Sequence, residues 1–139
     1  SERGLRELRI SKTEALTGNA YAIFRLAAFY YDSGHPRQAE KYAKEFLEFD
    51  KEDYFIIEML SGTYFEQKKY AEAEKFLLPL AKKGNTQAQW FLAMVYFETK
   101  KFKEAENWAK KALDGAKKEG SFSKHIEQLL MMLDGELNK

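Results

Sequence analysis

Two histidines are the side chains best suited to acid–base or metal chemistry in this sequence, and neither has the neighbours that such chemistry needs. His35 lies beside Pro36 in a turn, and His125 lies on the polar side of a helical pattern. A metal site or a proton relay needs a second group at short range, and no second histidine is near either position. We interpret both histidines as solvated surface residues, and the sequence predicts neither a metal nor a cofactor.

The segment from Gly115 to Ser121 has the outline of a phosphate-binding loop. It lacks the lysine that follows the second glycine in such loops, and no strand precedes it, so we interpret it as the end of a helix. Serine, threonine and carboxylate side chains are common, but no spacing brings a nucleophile, a base and an orienting group together. The chain has no cysteine, which excludes disulfides and thiol catalysis. The sequence therefore predicts that the protein is not an enzyme.

The composition is that of an ordinary globular protein. The 139 residues are 45% hydrophobic and 32% charged, which suits one folded domain. A formal net charge of +1 gives no reason to expect nucleic acid, and no apolar run approaches the roughly 20 residues that direct membrane insertion needs. A soluble domain fits either a cytoplasmic or an exported protein. Because the chain begins with Ser1 rather than methionine, we expect it to be a fragment of a longer protein.

Small and aromatic residues repeat along the chain. Ala39, Ala73 and Ala105 are separated by 34 residues (39 to 73) and 32 residues (73 to 105). Each copy has two amphipathic helical patterns on either side of a short polar turn, and such a pair needs a neighbour of the same kind to bury its apolar face. When the three copies are aligned on these alanines, three more sets of equivalent residues have the same spacing. They are Leu26, Leu60 and Leu92; Ala27, Ser61 and Ala93; and Tyr30, Tyr64 and Tyr96.

This pattern resembles the tetratricopeptide repeat family over Ala20 to about Gly120. Gly34 stands at the family's turn glycine, whereas Lys68 and Lys100 replace that glycine in the later copies. The third copy, after the shorter step, is also similar to Sel1-like repeats. The resemblance implies an all-α, right-handed solenoid of three helix-turn-helix repeats with flanking N- and C-terminal helices.

The same pattern divides a single domain into segments. We predict an N-terminal helix or remnant repeat at 1–18, repeats at 19–53, 54–85 and 86–120, and a C-terminal capping helix at 121–139. In the first segment Leu5, Leu8, Ala15 and Leu16 lie among basic residues at helical spacing.

Local signals predict where individual helices begin, bend and end. Pro36 suits the first position of a helix that continues to about Phe49, and the acidic run at 50–53 favours the start of the next helix. Pro79 lies inside a helical pattern and predicts a kink. Ser121 or Ser123 is the predicted N-cap of the last helix.

The predicted binding surface is a stripe of residues along the first helix of each repeat. Helical periodicity places its members on one face, which is largely apolar and is followed by an acidic residue in every copy. The resemblance implies that this stripe faces a concave groove in which peptides lie. We expect part of it to pack between repeats and the rest to form the groove. The predicted partner-binding residues are Tyr21, Phe24, Tyr31, Asp32, Phe55, Glu58, Phe65, Glu66, Trp90, Met94, Phe97 and Glu98.

These residue types favour one class of partner. Apolar anchors ringed by carboxylates suit an extended or helical protein segment with hydrophobic and basic residues. The family's carboxylate clamp needs lysine and asparagine in the groove, and the corresponding positions here hold Phe24, Ala28, Met59, Gln87 and Phe91. The predicted function is therefore a non-enzymatic protein–protein interaction scaffold within a multiprotein assembly. The alternative is homo-oligomerisation, in which the aromatic stripe or a solenoid end packs against another copy.

A basic surface in the third copy suggests a further, weaker possibility. Lysines at 100, 101, 103, 110, 111, 117 and 118 outnumber the acidic residues around them. We interpret them as a solvated face rather than a docking site for anionic lipid or nucleic acid, because no aromatic residues interleave at the spacing of an RNA reader.

Overall fold

The computed structural model describes residues 18–139, and within that range the chain forms seven α-helices and no β-strand. The predicted all-α class is confirmed. The predicted segment at 1–18 lies outside the described residues apart from Gly18, and the handedness of the solenoid stays a prediction. The helices are α1 (Gly18–Asp32), α2 (Pro36–Phe46), α3 (Tyr54–Glu66), α4 (Tyr70–Lys82), α5 (Thr86–Glu98), α6 (Phe102–Glu119) and α7 (Ser123–Leu137).

The chain divides into two compact units, and the first ends at Lys69. In it α1 packs on α2, and α2 packs on α3. The rings of Phe24 and Phe46 meet edge to face with their centroids 5.3 Å apart, which joins α1 to the end of α2. Asp53 begins α3 as an N-cap, because its carboxylate accepts a hydrogen bond from the Ile56 amide at 3.0 Å. Asp53, the last residue of the predicted acidic run, therefore helps to start this helix; the contribution of the rest of the run stays a prediction.

Helix α2 is shorter than predicted. It ends at Phe46 rather than near Phe49, because the amides of Glu48 and Phe49 bond to carbonyls only three residues back. Such bonds tighten the backbone into a turn and stop the α-helical ladder.

The second unit spans Tyr70–Lys139 and contains α4 to α7. Helix α5 packs on both α4 and α6, and α7 packs on α6. A stripe of alanines on α6 is fully buried, and its small side chains let neighbouring helices approach closely. Helix α4 continues through Pro79 to Lys82, so the proline does not end the helix; the predicted kink stays a prediction. The buried alanines of α6 are Ala105, Ala109, Ala112 and Ala116.

The start of α7 differs from the prediction. Ser123 is the first residue of the helix, and the N-cap position is Phe122, which makes no side-chain hydrogen bond. The hydroxyl of Ser121 is buried and has no hydrogen-bond partner. Neither serine caps the helix, so that prediction was wrong. Gly120 ends α6 with a left-handed φ of 69°, as the helix-end interpretation of this segment requires.

The turns that follow α1, α3 and α5 share one backbone conformation, and only the first of these three contains glycine. Gly34 has a φ of 76°, and Lys68 and Lys100 have φ values of 57° and 63°. In each turn the amide of the next residue bonds to a carbonyl five residues back, as in a Schellman motif. Two lysines therefore adopt a left-handed backbone, a conformation that costs a residue with a Cβ about 1–2 kcal/mol.

Replacing Lys100 with glycine is expected to raise the free energy of unfolding by about 0.5 kcal/mol, because glycine removes the left-handed strain but adds flexibility to the unfolded chain. Urea denaturation measures this change. The matched control is Lys100→Ala, which also removes the charged side chain but keeps Cβ and should give no gain. Equal effects of the two substitutions would show that the strain is unimportant.

The repeated leucine is buried in α3 and α5 but not in α1. Leu60 and Leu92 are 1% and 0% exposed, whereas the equivalent Leu26 is 38% exposed. Burial of Leu26 with the other two leucines was expected from the repeat, and that expectation was wrong, since more than a third of this side chain is exposed. The small-residue column, by contrast, is fully buried at Ala27, Ser61 and Ala93.

Ser61 is the one member of that small-residue column with a hydroxyl, which is buried and makes no hydrogen bond. We expect Ser61→Ala to raise the free energy of unfolding by about 1 kcal/mol, because it removes a desolvated polar group and improves helix propensity. Thermal and urea unfolding measure the gain. The reciprocal substitution Ala93→Ser should cost a similar amount, and stabilisation by both would contradict this explanation.

Candidate functional site

The first unit contains eight of the predicted partner-binding residues, and they differ in exposure. Tyr21 and Tyr31 are 36% and 37% exposed, and Phe55 and Phe65 are half-buried. The three carboxylates Asp32, Glu58 and Glu66 are exposed.

Phe24 is the exception, since only 3% of it is exposed. Its ring packs edge to face on Phe46 inside the first unit. A partner would have no access to this ring, so its placement in the binding stripe is corrected: Phe24 is a core residue. It shares the periodicity of the stripe, but α2 covers it.

Tyr31 lies at the centre of the acidic part of this surface. Its ring lies against the backbone of α3 at Gly62, where an added Cβ would be 2.9 Å from the Tyr31 hydroxyl oxygen. Burial of the phenol raises the pKa of Tyr31, and the charges of Glu58, Asp32 and Glu66 raise it further. Three predicted carboxylates therefore give a negative charge to the surface beside a partly exposed ring.

The second unit contains an apolar cleft between α5 and α7. Its volume is about 250 Å³. We call it the α5–α7 cleft. One wall consists of the four predicted residues of the third copy, Trp90, Met94, Phe97 and Glu98, and the other of His125, Gln128, Leu129 and Met132.

Helical spacing explains how the two walls form. On α5 the residues Trp90, Met94 and Phe97 recur at i, i+4 and i+7, which puts them on one face. Both α5 and α7 pack on α6, so their neighbouring faces leave a cleft between them. Two aromatic contacts support the first wall: Trp90 with Phe122 at 6.3 Å and Phe97 with Phe102 at 5.7 Å between ring centroids.

The second wall comes from residues that sequence reasoning did not place in a site. His125 was interpreted as solvated surface, and it is exposed, but it also lines the cleft. Leu129 is 7% exposed and Met132 is 55% exposed, so this wall runs from the buried floor to the rim. The available signal was the i, i+4, i+7 spacing of 125, 129 and 132, which matches that of the first wall.

The described part of the chain offers no constellation for catalysis or metal binding. Among residues 18–139, no cluster of histidine, aspartate or glutamate side chains is suited to hold a metal ion. The Ser33 hydroxyl lies 3.1 Å from Nδ1 of His35, but it also donates to the Phe29 carbonyl at 2.7 Å. These groups lie in an exposed turn, and the local hydrogen bonds explain their positions. None of the described helices is long and apolar enough to cross a membrane.

Tyr96 fixes the position of α5 against α4 within the second unit. Its hydroxyl donates to Oε2 of Glu74 at 2.9 Å. Burial, followed by this hydrogen bond and the charge of Glu74, raises the pKa of Tyr96 to about 12. The Gln89 side-chain amide adds a second link between these helices by donating to the Ala81 carbonyl at 3.1 Å.

This tyrosine predicts a loss of stability at high pH. Between pH 10 and 12 the unfolded chain loses a proton that folded Tyr96 keeps, so the free energy of unfolding falls as the pH rises through this range. At about 1.4 kcal/mol per pKa unit, the loss approaches roughly 2 kcal/mol. Unfolding of the natural protein and of Tyr96→Phe at several pH values measures it. The variant should be less sensitive to pH in this window, and identical slopes would contradict the assignment.

Comparisons with known proteins agree with this architecture. Residues 91–119 match the family model of the tetratricopeptide repeat. The first TPR of Spaghetti (RPAP3) bound to the HSP90 peptide SRMEEVD is 18% identical, with a TM-score of 0.71 over 86% of this chain and 94% of that one. The first TPR domain of human RPAP3 is 21% identical, with a TM-score of 0.59 over 84% and 95%. No curated protein matches the chain.

At these identities the likeness establishes the fold, an all-α helical repeat of the tetratricopeptide type. The matched residues run from α5 to the end of α6 and so include most of one wall of the α5–α7 cleft. The Sel1-like character of the third copy stays a prediction.

Proposed function

We propose that this protein is a non-enzymatic scaffold that holds a segment of another protein, and that the α5–α7 cleft receives the segment's main apolar side chain. The observation that carries the proposal is the cleft itself, which has a tryptophan wall, an apolar floor and a carboxylate at the rim. The same proposal includes membership of a multiprotein assembly. It also includes the division of the chain into repeats at 19–53, 54–85 and 86–120.

The size of the cleft favours an anchoring side chain over a small-molecule cofactor. Clefts that enclose drug-sized ligands have volumes of about 300–1,000 Å³, whereas this cleft has about 250 Å³. One large aliphatic or aromatic side chain, with part of its backbone, suits that space. Protein interfaces often obtain most of their binding energy from a few anchors of this kind.

The charge of the surface favours a basic segment. The charged rim residue of the cleft is Glu98, and no lysine or arginine lines it. The HSP90 peptide held by the RPAP3 domain, SRMEEVD, is rich in acidic residues, and such a peptide would meet repulsion from Glu98. A segment with arginine or lysine next to its apolar anchor gains attraction instead. The acidic surface around Tyr31 in the first unit is suited to the same kind of segment.

Two methionines should make the cleft tolerant of different anchors. Met94 and Met132 lie on opposite walls, and the flexible thioether side chain adapts to differently shaped neighbours. We expect leucine, methionine and phenylalanine anchors to bind with similar affinities, as in other binding sites that use methionine to accept several partners.

A peptide library displayed on phage tests the proposal directly. We expect selection on the natural protein to enrich sequences with one large apolar residue close to arginine or lysine. Synthetic peptides from the selection should bind with one-to-one stoichiometry by calorimetry, and exchanging their basic residues for glutamate should abolish binding. Enrichment of acidic sequences, or binding unaffected by the Glu98→Gln substitution, would contradict the proposed charge preference.

A further inference from the structure

All the sulfur in this chain belongs to four methionines, because the sequence contains no cysteine. No thiol is therefore available to consume a peroxide before methionine does. The four methionines differ widely in exposure. Met131 and Met132 are 76% and 55% exposed, Met94 is half-buried, and Met59 is only 6% exposed. The two thioethers most open to an oxidant are thus neighbours on α7.

These two neighbours lie on different faces of α7. Consecutive residues of an α-helix are about 100° apart around its axis. Met132 shares a face with His125 and Leu129 and lines the α5–α7 cleft, whereas Met131 does not line it. An oxidant in solution therefore reaches both side chains, but only one of the two modifications changes the wall of the cleft.

We propose that Met132 is an oxidation site whose modification closes the α5–α7 cleft to the partner segment. This inference rests on the proposed function of the cleft. Hydrogen peroxide transfers one oxygen atom to the Met132 sulfur, so that the O–O bond breaks, the thioether becomes a sulfoxide and the peroxide is reduced to water. Sulfoxide reductases reverse the modification: two thiols of the reductant become a disulfide, and the oxygen leaves as water.

The polarity of the sulfoxide explains why binding should be lost. The wall that faces Met132 is lined by the apolar side chains of Trp90, Met94 and Phe97. A polar oxygen that an incoming apolar anchor strips of water, without a new hydrogen bond, is expected to weaken binding by about tenfold or more. Glu98 at the rim offers no remedy, because a carboxylate only accepts hydrogen bonds.

Hydrogen-bond donors on the same wall would not preserve the site. His125 and Gln128 line the cleft beside Met132, and both are exposed. A bond from either to the sulfoxide would draw the Met132 side chain toward water and away from the anchor. With or without such a bond, oxidation removes apolar contact surface from this wall.

Two variants isolate the effect of this sulfur. Met131→Leu leaves Met132 as the exposed methionine, and Met132→Leu leaves Met131 in that role. Leucine resists peroxide and has a volume similar to that of methionine. The full chain of each variant is treated with hydrogen peroxide until mass spectrometry shows complete oxidation of the exposed methionine, with Met59 and Met94 unmodified.

Peptide affinity before and after this treatment tests the inference. Calorimetry with a selected apolar and basic peptide should show a loss of about tenfold or more when Met131→Leu is oxidised. Sulfoxide reductase should restore its affinity. Met132→Leu should keep the affinity that it had before treatment. Full affinity of Met131→Leu at complete Met132 oxidation would overturn the inference, and so would an equal loss in Met132→Leu.

A second probe separates this inference from the proposed function. Toluene is neutral and apolar, and its entry into the cleft should shift the nuclear magnetic resonance signal of the Trp90 indole N–H, which Trp108→Phe identifies. We expect this shift in untreated Met131→Leu and not after oxidation. That result would support the inference even if no peptide were selected, in which case only the proposed function would fail. A toluene response that survives oxidation, or that is absent before it, would overturn the inference.

Discussion

Replacing Trp90 with alanine is expected to weaken binding of a selected apolar and basic peptide by about tenfold or more, a loss of more than about 1 kcal/mol. Trp90 is half-buried and contributes to the wall of the α5–α7 cleft, where its indole supplies the largest apolar surface. Truncation removes that contact surface and leaves the anchor of the partner partly in water. Because the indole is not part of the buried core of α5, helicity should barely change.

The chain provides a matched control for this substitution in its second tryptophan. Trp108 is also half-buried, lies on α6 outside the cleft, and has Nζ of Lys111 4.6 Å from its ring centroid. We expect Trp108→Ala to leave peptide affinity within about twofold of the natural value. Calorimetric titration measures affinity for both variants, and circular dichroism measures their helicity. Similar losses of affinity in the two variants, or unfolding of Trp90→Ala alone, would remove the cleft from the mechanism.

A second large effect is expected at Gly115, where alanine should lower the free energy of unfolding by about 2 kcal/mol although alanine favours helices. Glycine inside a helix normally costs about 1 kcal/mol relative to alanine. At this position a Cβ would collide with Oγ1 of Thr86, whose hydroxyl also donates to Glu119 at 2.8 Å. Overpacking of this kind costs about 1–3 kcal/mol beyond any gain in propensity.

Three further variants separate steric collision from a general effect of glycine: Gly135→Ala, Thr86→Ala and the double variant Thr86→Ala with Gly115→Ala. Gly135 lies in α7 with open space around its Cβ position, so Gly135→Ala should stabilise the protein by about 0.5–1 kcal/mol. In the double variant Thr86→Ala with Gly115→Ala, the colliding oxygen is absent, and the total loss should be smaller than the sum of the two single losses. Urea denaturation of the natural protein, the three single variants and the double variant completes the test. Strict additivity, or stabilisation by Gly115→Ala, would refute the collision.

Local sequence signals were sufficient to predict most of the fold. The columns of leucine, small residue and tyrosine identified helices that bury one face, and buried Leu60 and Leu92 follow that pattern. Leu26 belongs to the same column but is exposed, because burial depends on a neighbouring segment as well as on the residue itself. The turn at Lys100 shows the converse case, in which helix packing preserves a left-handed backbone without the glycine that normally marks it.

Only one wall of the α5–α7 cleft could be predicted from the sequence, because the other wall depends on how helices pack together. Periodicity within α5 places Trp90, Met94 and Phe97 on one face, and these residues do line the cleft. The opposite wall belongs to α7, and its contribution depends on how two helices lie on α6. One sequence carries little information on such packing. Phe24 illustrates the same limit, because its spacing matches the stripe while α2 buries its ring.

Both tryptophans lie in the second unit, at 90 and 108, and the whole chain has no other. Intrinsic tryptophan emission during denaturation therefore reports on the second unit alone, whereas far-ultraviolet circular dichroism reports on the helices of both units. In a helical-repeat protein, stability is roughly a sum of the terms of single repeats and of their interfaces, so the two units are free to melt in sequence. Coincident emission and dichroism curves would mean that the chain unfolds as one cooperative body, and separated midpoints would assign a stability to each half.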